Sequence, residues 1–183
     1  MRYISTIRIK FALLMLLPTL FAGCAGWNPD EPAKADQAAR QAIAEFKKHD
    51  PSLKAFFDKA YAYAVYPTVG KGGIGIGGAH GSGVVYRQGR MIGYTSLTQV
   101  TIGWQLGGES YRELIFFENE KAFNTFKSGS LKFSAQASAV AATSGAGAKT
   151  SYANNVAVFT LIKGGLMYEA SVGGQSFSFE PVK

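Results

Sequence analysis

Apolar residues recur at Ala35, Ala38, Ala39, Ala42, Ile43 and Phe46, the three-and-four spacing of one helix face. Asp36 and Arg40 fall four apart on the polar side and support the same helix. Asp50-Pro51 then supplies a capping side chain and a proline at the first helical position, which opens a second helix with Leu53, Phe56, Phe57 and Ala60 inward. After Ala60 the period shortens, and β-branched and aromatic residues alternate between glycines. This predicts strands near 62–66, 73–79, 83–87, 91–98, 100–107 and 111–117, with Pro67 ending the first and Gln88-Gly89 as a tight turn. Glu118 to Lys127 reads as a short helix with Ala122, Phe123 and Phe126 inward, ended by Ser128-Gly129. Further strands are expected near 131–143, 155–162, 165–172 and 175–180, with Ser144 to Ser151 as a flexible loop. No linker divides these elements. The expected fold is α+β: a single domain over 34–183, a curved, barrel-like antiparallel sheet, N-terminal amphipathic helices and one short helix between two β blocks.

The head of the chain is different. Arg2, Arg8 and Lys10 precede the apolar run from Phe11 to Phe21, and Ala22-Gly23-Cys24 follows. A cationic start, an apolar stretch too short to span a bilayer, and small residues before a break describe a signal peptide over 1–23. Leu20-Phe21-Ala22-Gly23-Cys24 resembles a bacterial lipobox, with Phe21 where Leu is usual. On that reading Cys24 is diacylated and becomes the new N-terminus, and 24–33, with Gly26, Asn28-Pro29 and Pro32, is a lipidated tether. Ala25 after the cysteine favours sorting to the outer membrane, facing the periplasm.

Composition narrows the chemistry. There is one cysteine and there are two histidines, His49 and His80. A lone cysteine excludes an internal disulfide and any multi-thiolate metal site, and no metal centre or cofactor is expected. Loss of Arg2, Arg8 and Lys10 with the signal peptide takes the formal net charge from +7 to +4. That modest excess suits anionic lipid headgroups better than nucleic acid, which is not an expected partner. Neither histidine neighbours an obvious nucleophile; His49 reads as a solvated helix end and His80 as a hairpin-turn residue. Glu109, Glu113, Glu118 and Glu120 are near one another in sequence, but nothing in their spacing pairs them for acid–base work. No catalytic residue is assigned, and the protein is not expected to be an enzyme.

Glycine is concentrated in Lys71-Gly-Gly-Ile-Gly-Ile-Gly-Gly-Ala-His-Gly-Ser-Gly83. Gly73, Gly75 and Gly77 alternate with Ile74 and Ile76, so one face of a strand would be bare and open to close approach by another backbone, a ligand or the alanine face of the first helix. The run formally matches G-x-G-x-x-G, but strand rather than helix follows it, and no acidic residue stands about 20 positions on. Gly145-Ala-Gly147-Ala-Lys149-Thr150 has the look of a phosphate loop, with Ala148 where Gly is required. Neither reads as a nucleotide site.

The ordered set Ala62-Tyr-Ala-Val-Tyr-Pro67, Lys71-Gly-Gly-Ile-Gly-Ile-Gly-Gly78 with Gly81-Ser-Gly-Val-Val85, Val100-Thr-Ile-Gly-Trp-Gln-Leu-Gly-Gly108, Leu114-Ile-Phe-Phe117 and Lys163-Gly-Gly-Leu-Met167 resembles the SYLF family of lipid-binding domains, called Ysc-type in fungi. The resemblance implies lipid binding, an N-terminal amphipathic helix that engages membranes, and no catalysis. Phosphoinositides and actin are ligands of eukaryotic and fungal members; actin is not expected as a partner here. The resulting expectation is an outer-membrane lipoprotein whose periplasmic domain binds phospholipid or acyl lipid, with anionic headgroups met by Lys47, Lys48, Lys71, Arg87 and Arg90. The alternative is a non-enzymatic structural or partner-binding envelope lipoprotein.

Overall fold

The computed structural model describes residues 32–131, 140–141, 145–165 and 174–182. The expected signal peptide, Cys24, the expected tether up to residue 31 and most of the strands expected at 131–143 and 165–172 lie outside the described residues; Pro32 and Ala33, expected in the tether, open the first helix instead.

Helix α1 (Pro32–His49) leads through a 3-10 turn (Pro51–Leu53) into α2 (Lys54–Lys59). Two long strands follow, β1 (Ala62–Arg87) and β2 (Arg90–Phe117), then α3 (Glu120–Lys127), the two-residue β3 (Val140–Ala141), α4 (Ala146–Lys149), β4 (Val156–Gly165) and β5 (Gln175–Pro181). The α+β class stands. Six short strands were expected where the chain makes two, because neither Pro67 nor the glycines interrupt the ladder. β1 and β2 pair antiparallel from Ala62/Phe117 to Arg87/Arg90, with irregularities between Tyr66 and Val69, Ile74 and Ile76, and Val85 and Tyr86. Bulges absorb the residues that would otherwise end a strand. The tight turn is where the sequence places it, with Gln88 and Gly89 both at positive φ.

The barrel-like closure expected from the sequence is corrected. The sheet runs β1-β2-β4-β3, with β5 paired to the other half of β2, and no further pairing joins its edges among the described residues. The ribbon instead doubles back on itself. An added Cβ at Gly83 would lie 2.3 Å from the Val65 carbonyl oxygen, and one at Gly73 would lie 2.3 Å from the Gly77 Cα. Glycine is therefore what lets the two halves of β1 meet backbone to backbone.

Alternation along the strands then builds a core on each face. Tyr63, Val65, Val84, Tyr86, Leu114, Phe116 and Phe159 face Ala35, Ala39, Ala42 and Phe46 of α1 and Phe56 of α2. Tyr66, Val69, Val85, Leu97, Ile115, Phe117 and Phe177 face Phe123 and Phe126 of α3. The alanine face of α1 thus docks on large side chains and not, as the sequence suggested, on the bare glycines, which would give Phe46 little apolar surface to bury. Tyr86 fixes that docking by donating to the Asp36 carboxylate at 2.6 Å, while Arg40 Nε donates to its other oxygen at 2.7 Å. Burial would raise the Asp36 carboxyl, but these bonds outweigh it and hold it below its ordinary value.

Candidate functional site

The glycine-rich half of the ribbon forms one end of the molecule. Here Gly72 pairs with Gly108 and Gly73 with Gly107, whose φ of +127° no other residue adopts easily. Beyond the bend, Ile76 is 68% exposed and Val100 63% exposed, and Ile162 on neighbouring β4 is 56% exposed. A fourth large apolar side chain, Val182, stands at the C-terminal end of the described chain. Scattered single exposed apolar residues are ordinary on a protein surface, but Ile76 pairs with Ile102 and Val100 with Gly78, so Ile76 and Val100 are diagonal neighbours on one face of the ribbon and present one apolar tip.

Behind the tip, the inner face of the sheet turns polar. Lys71, Gln99, Glu109, Glu113, Thr160 and Gln175 are all buried, with Tyr111 among them. Lys71 and Glu109 are cross-strand partners of opposite charge. Gln175 Nε2 donates to Glu113 Oε2 at 3.0 Å, leaving Glu113 Oε1, Gln175 Oε1 and the Tyr111 hydroxyl without a hydrogen-bond partner among the described residues. Burial pushes the Glu113 carboxyl up to about 8, against a smaller lowering by the Gln175 bond. Tyr111 is raised too, first by burial and then by the Glu113 and Glu109 charges. Beside them Tyr66 and Thr95 share a 2.8 Å hydrogen bond, and Thr95 donates to the Ser178 carbonyl at 2.7 Å.

The five cations expected at the headgroup site do not converge. Lys71 is buried inside. Lys47 and Lys48 are exposed at the C-terminal end of α1, with Lys47 4.5 Å above the Phe57 ring. Arg87 and Arg90 face each other at the hairpin turn, Arg87 stacking 4.2 Å over Tyr61. Of the three glycines singled out, Gly73 and Gly77 meet each other across the bend; Gly75 lies within β1.

His49 is exposed at the end of α1, 3.9 Å from Glu45. His80 is mid-strand and not in a turn, its Nδ1 3.3 Å from Thr98 Oγ1, because the ribbon runs on to residue 87 before reversing. Glu109 and Glu113 share the buried face of β2 with Tyr111 between them, while Glu118 and Glu120 are exposed near the start of α3. Among the described residues no group of three or more His, Cys, Asp or Glu could hold a metal. The loop expected at 144–151 contains the short helix α4, and its glycine nest is filled from within. The Asp50 carboxylate accepts from Gly147 N at 2.6 Å and from Gly145 N at 3.1 Å, taking the place an external phosphate would need. Sequence reasoning read Asp50 only as a cap; the two ends of this contact lie 97 residues apart, and no local signal joins them.

Residues 98–181 match the family model described as Ysc84, Las17-binding protein actin regulator. Over those residues the chain is similar to the Ysc84 family. The matched segment covers most of β2, α3, β4 and β5, and so includes Val100, the buried carboxylates and Ile162. The chain is also 26% identical over 140 residues, 76% of its length, to a protein named Beta cell expansion factor A from Aeromonas veronii. It spans about half the length of that curated relative, 53%.

Proposed function

We propose that this is an outer-membrane lipoprotein, anchored through Cys24, whose Ysc84-type domain binds phospholipid or another acyl lipid without catalysing a reaction. The apolar tip of Ile76 and Val100 carries the reading: two large aliphatic side chains stand mostly solvated at the glycine-rich end of the sheet. A lipid surface would bury them, at about 25 cal/mol per Å² of apolar area removed from water. The apolar face of α1 is already spent on the sheet, so membrane contact through that helix would require its undocking. No helix among the described residues is long and apolar enough to cross a membrane.

The test uses the mature polypeptide from residue 25, unlipidated, which keeps every described residue. Flotation with phosphatidylcholine vesicles should recover the protein, and Ile76→Ser with Val100→Ser should release it. Mass spectrometry of an organic extract of the native protein should find stoichiometric lipid. A protein that floats with no vesicle and carries no lipid would leave the partner-binding alternative standing.

A further inference from the structure

Two bulges, one in β1 and one in β4, bracket a single arginine of β2. In β1, Tyr66 pairs with Glu113 and Val69 with Tyr111, so Pro67 and Thr68 together oppose Arg112. In β4, Ile162 pairs with Tyr111 and Gly164 with Ser110, so Lys163 is the extra residue. β2 runs between these strands, yet Lys163 Nζ donates to Thr68 Oγ1 at 2.6 Å. The lysine therefore reaches across the strand that carries Arg112. Bulges re-aim side chains, and here both re-aim a polar group toward the same strand position. The Lys163 ammonium is held below its ordinary value, first by partial burial and then by the Arg112 charge, which marks the two cations as neighbours. Among the described residues no carboxylate pairs with either of them. Like charges held together without a counter-charge are unfavourable, and an anion between them relieves the repulsion.

We propose that Arg112, Lys163 and the Thr68 hydroxyl form a phosphate-binding site. Arg112 supplies a planar fork of donors, Lys163 a point charge, and Thr68 holds the ammonium in place and can itself donate. Neither cation stood out in the sequence, because their convergence depends on two bulges. On the lipid reading above, on which the headgroup version rests, this site meets the phosphate while the apolar tip meets the acyl region.

The decisive experiment compares flotation of the mature polypeptide with phosphatidylcholine vesicles and with vesicles that also contain phosphatidylglycerol. Lys163→Gln should reduce the preference for the anionic vesicle about fivefold, as should Arg112→Gln, while Arg87→Gln with Arg90→Gln, a larger charge loss at the distant hairpin, should leave most of it. Lys163 is exposed, so its substitution leaves the core intact and decides the matter even if the Arg112 variant does not fold. Full preference in Lys163→Gln, or an equal loss in the hairpin pair, overturns the site. Should the wild type float with neither vesicle, the lipid reading fails and inorganic phosphate decides this one. Saturable backbone shifts around residues 68, 112 and 163 with phosphate but not chloride, absent in Lys163→Gln, would support a free-phosphate site; no shifts would overturn it.

Discussion

The Asp50 carboxylate accepts a hydrogen bond from Gly147 N–H at 2.6 Å, joining the helix junction to a segment nearly one hundred residues later. The same carboxylate accepts from Gly145 N, Ser52 N and Ser52 Oγ, and Ser52 Oγ in turn accepts from Ala148 N. Asp50→Ala would strand several of these donors, and we expect a loss of about 2–4 kcal/mol, read as a lower midpoint in urea. Burial pushes the Asp50 carboxyl up, but bonds from Ser52, Gly147 and Gly145 outweigh it and the net shift is downward. A depressed carboxyl stabilises above its unfolded value, and the contribution disappears as pH falls through the folded one. Acid unfolding of Asp50→Ala should therefore show a shallower slope below pH ~4 than the wild type.

Glu113 predicts the opposite behaviour at higher pH. Its folded value of about 8 stands above the ordinary 4.5, so between the two the folded state keeps a proton that the unfolded chain has released. Stability then falls as pH rises across that window, by at most roughly 1.4 kcal/mol per unit, and levels off above it. Glu113→Gln should flatten the decline and melt at higher temperature than the wild type at pH 8. An unchanged slope between pH 5 and 8 would place the titrating group elsewhere.

Close backbone approach separates two glycines of the same strand. Gly83→Ala would force a Cβ to within 2.3 Å of the Val65 carbonyl, whereas Gly70 has nothing within 4 Å of that position. Gly83→Ala should lower stability by about 3 kcal/mol or more, and Gly70→Ala by less than about 1 kcal/mol, in parallel denaturant titrations.

Removing the Tyr86 hydroxyl should loosen α1 alone. Tyr86→Phe keeps the ring in its core and deletes the 2.6 Å bond to Asp36, a change of about 1–2 kcal/mol. Hydrogen exchange should rise in 32–49 more than in β1 and β2.

How far the sequence could be read depended on the range of the forces involved. The face of α1, the Asp50 cap, the Gln88-Gly89 turn and the inward residues of α3 are local matters of period and backbone preference, and all were legible. The merging of six strands into two was not, because a bulge depends on the partner strand as much as on Pro67 or the glycines themselves. Glu113 resembled its neighbours in sequence until β5 placed Gln175 against it. The glycine run announced close approach without saying what approaches; the answer was its own strand. Ile76 and Val100 fit a strand pattern equally well inward or outward, and only the bend decides.

The ribbon also implies an order of assembly. Partners at Arg87 and Arg90 are three residues apart, whereas those at Ala62 and Phe117 are more than fifty apart, so the cheapest loop to close is at the turn and pairing can zip outward from it. β5 pairs with Gly93 to Gln99, close to that turn, yet it comes last in the chain. As the chain is made, this stretch of β2 emerges early as a bare edge and waits for β5 to cover it, which makes the interval before β5 arrives the stage at which aggregation most threatens the molecule.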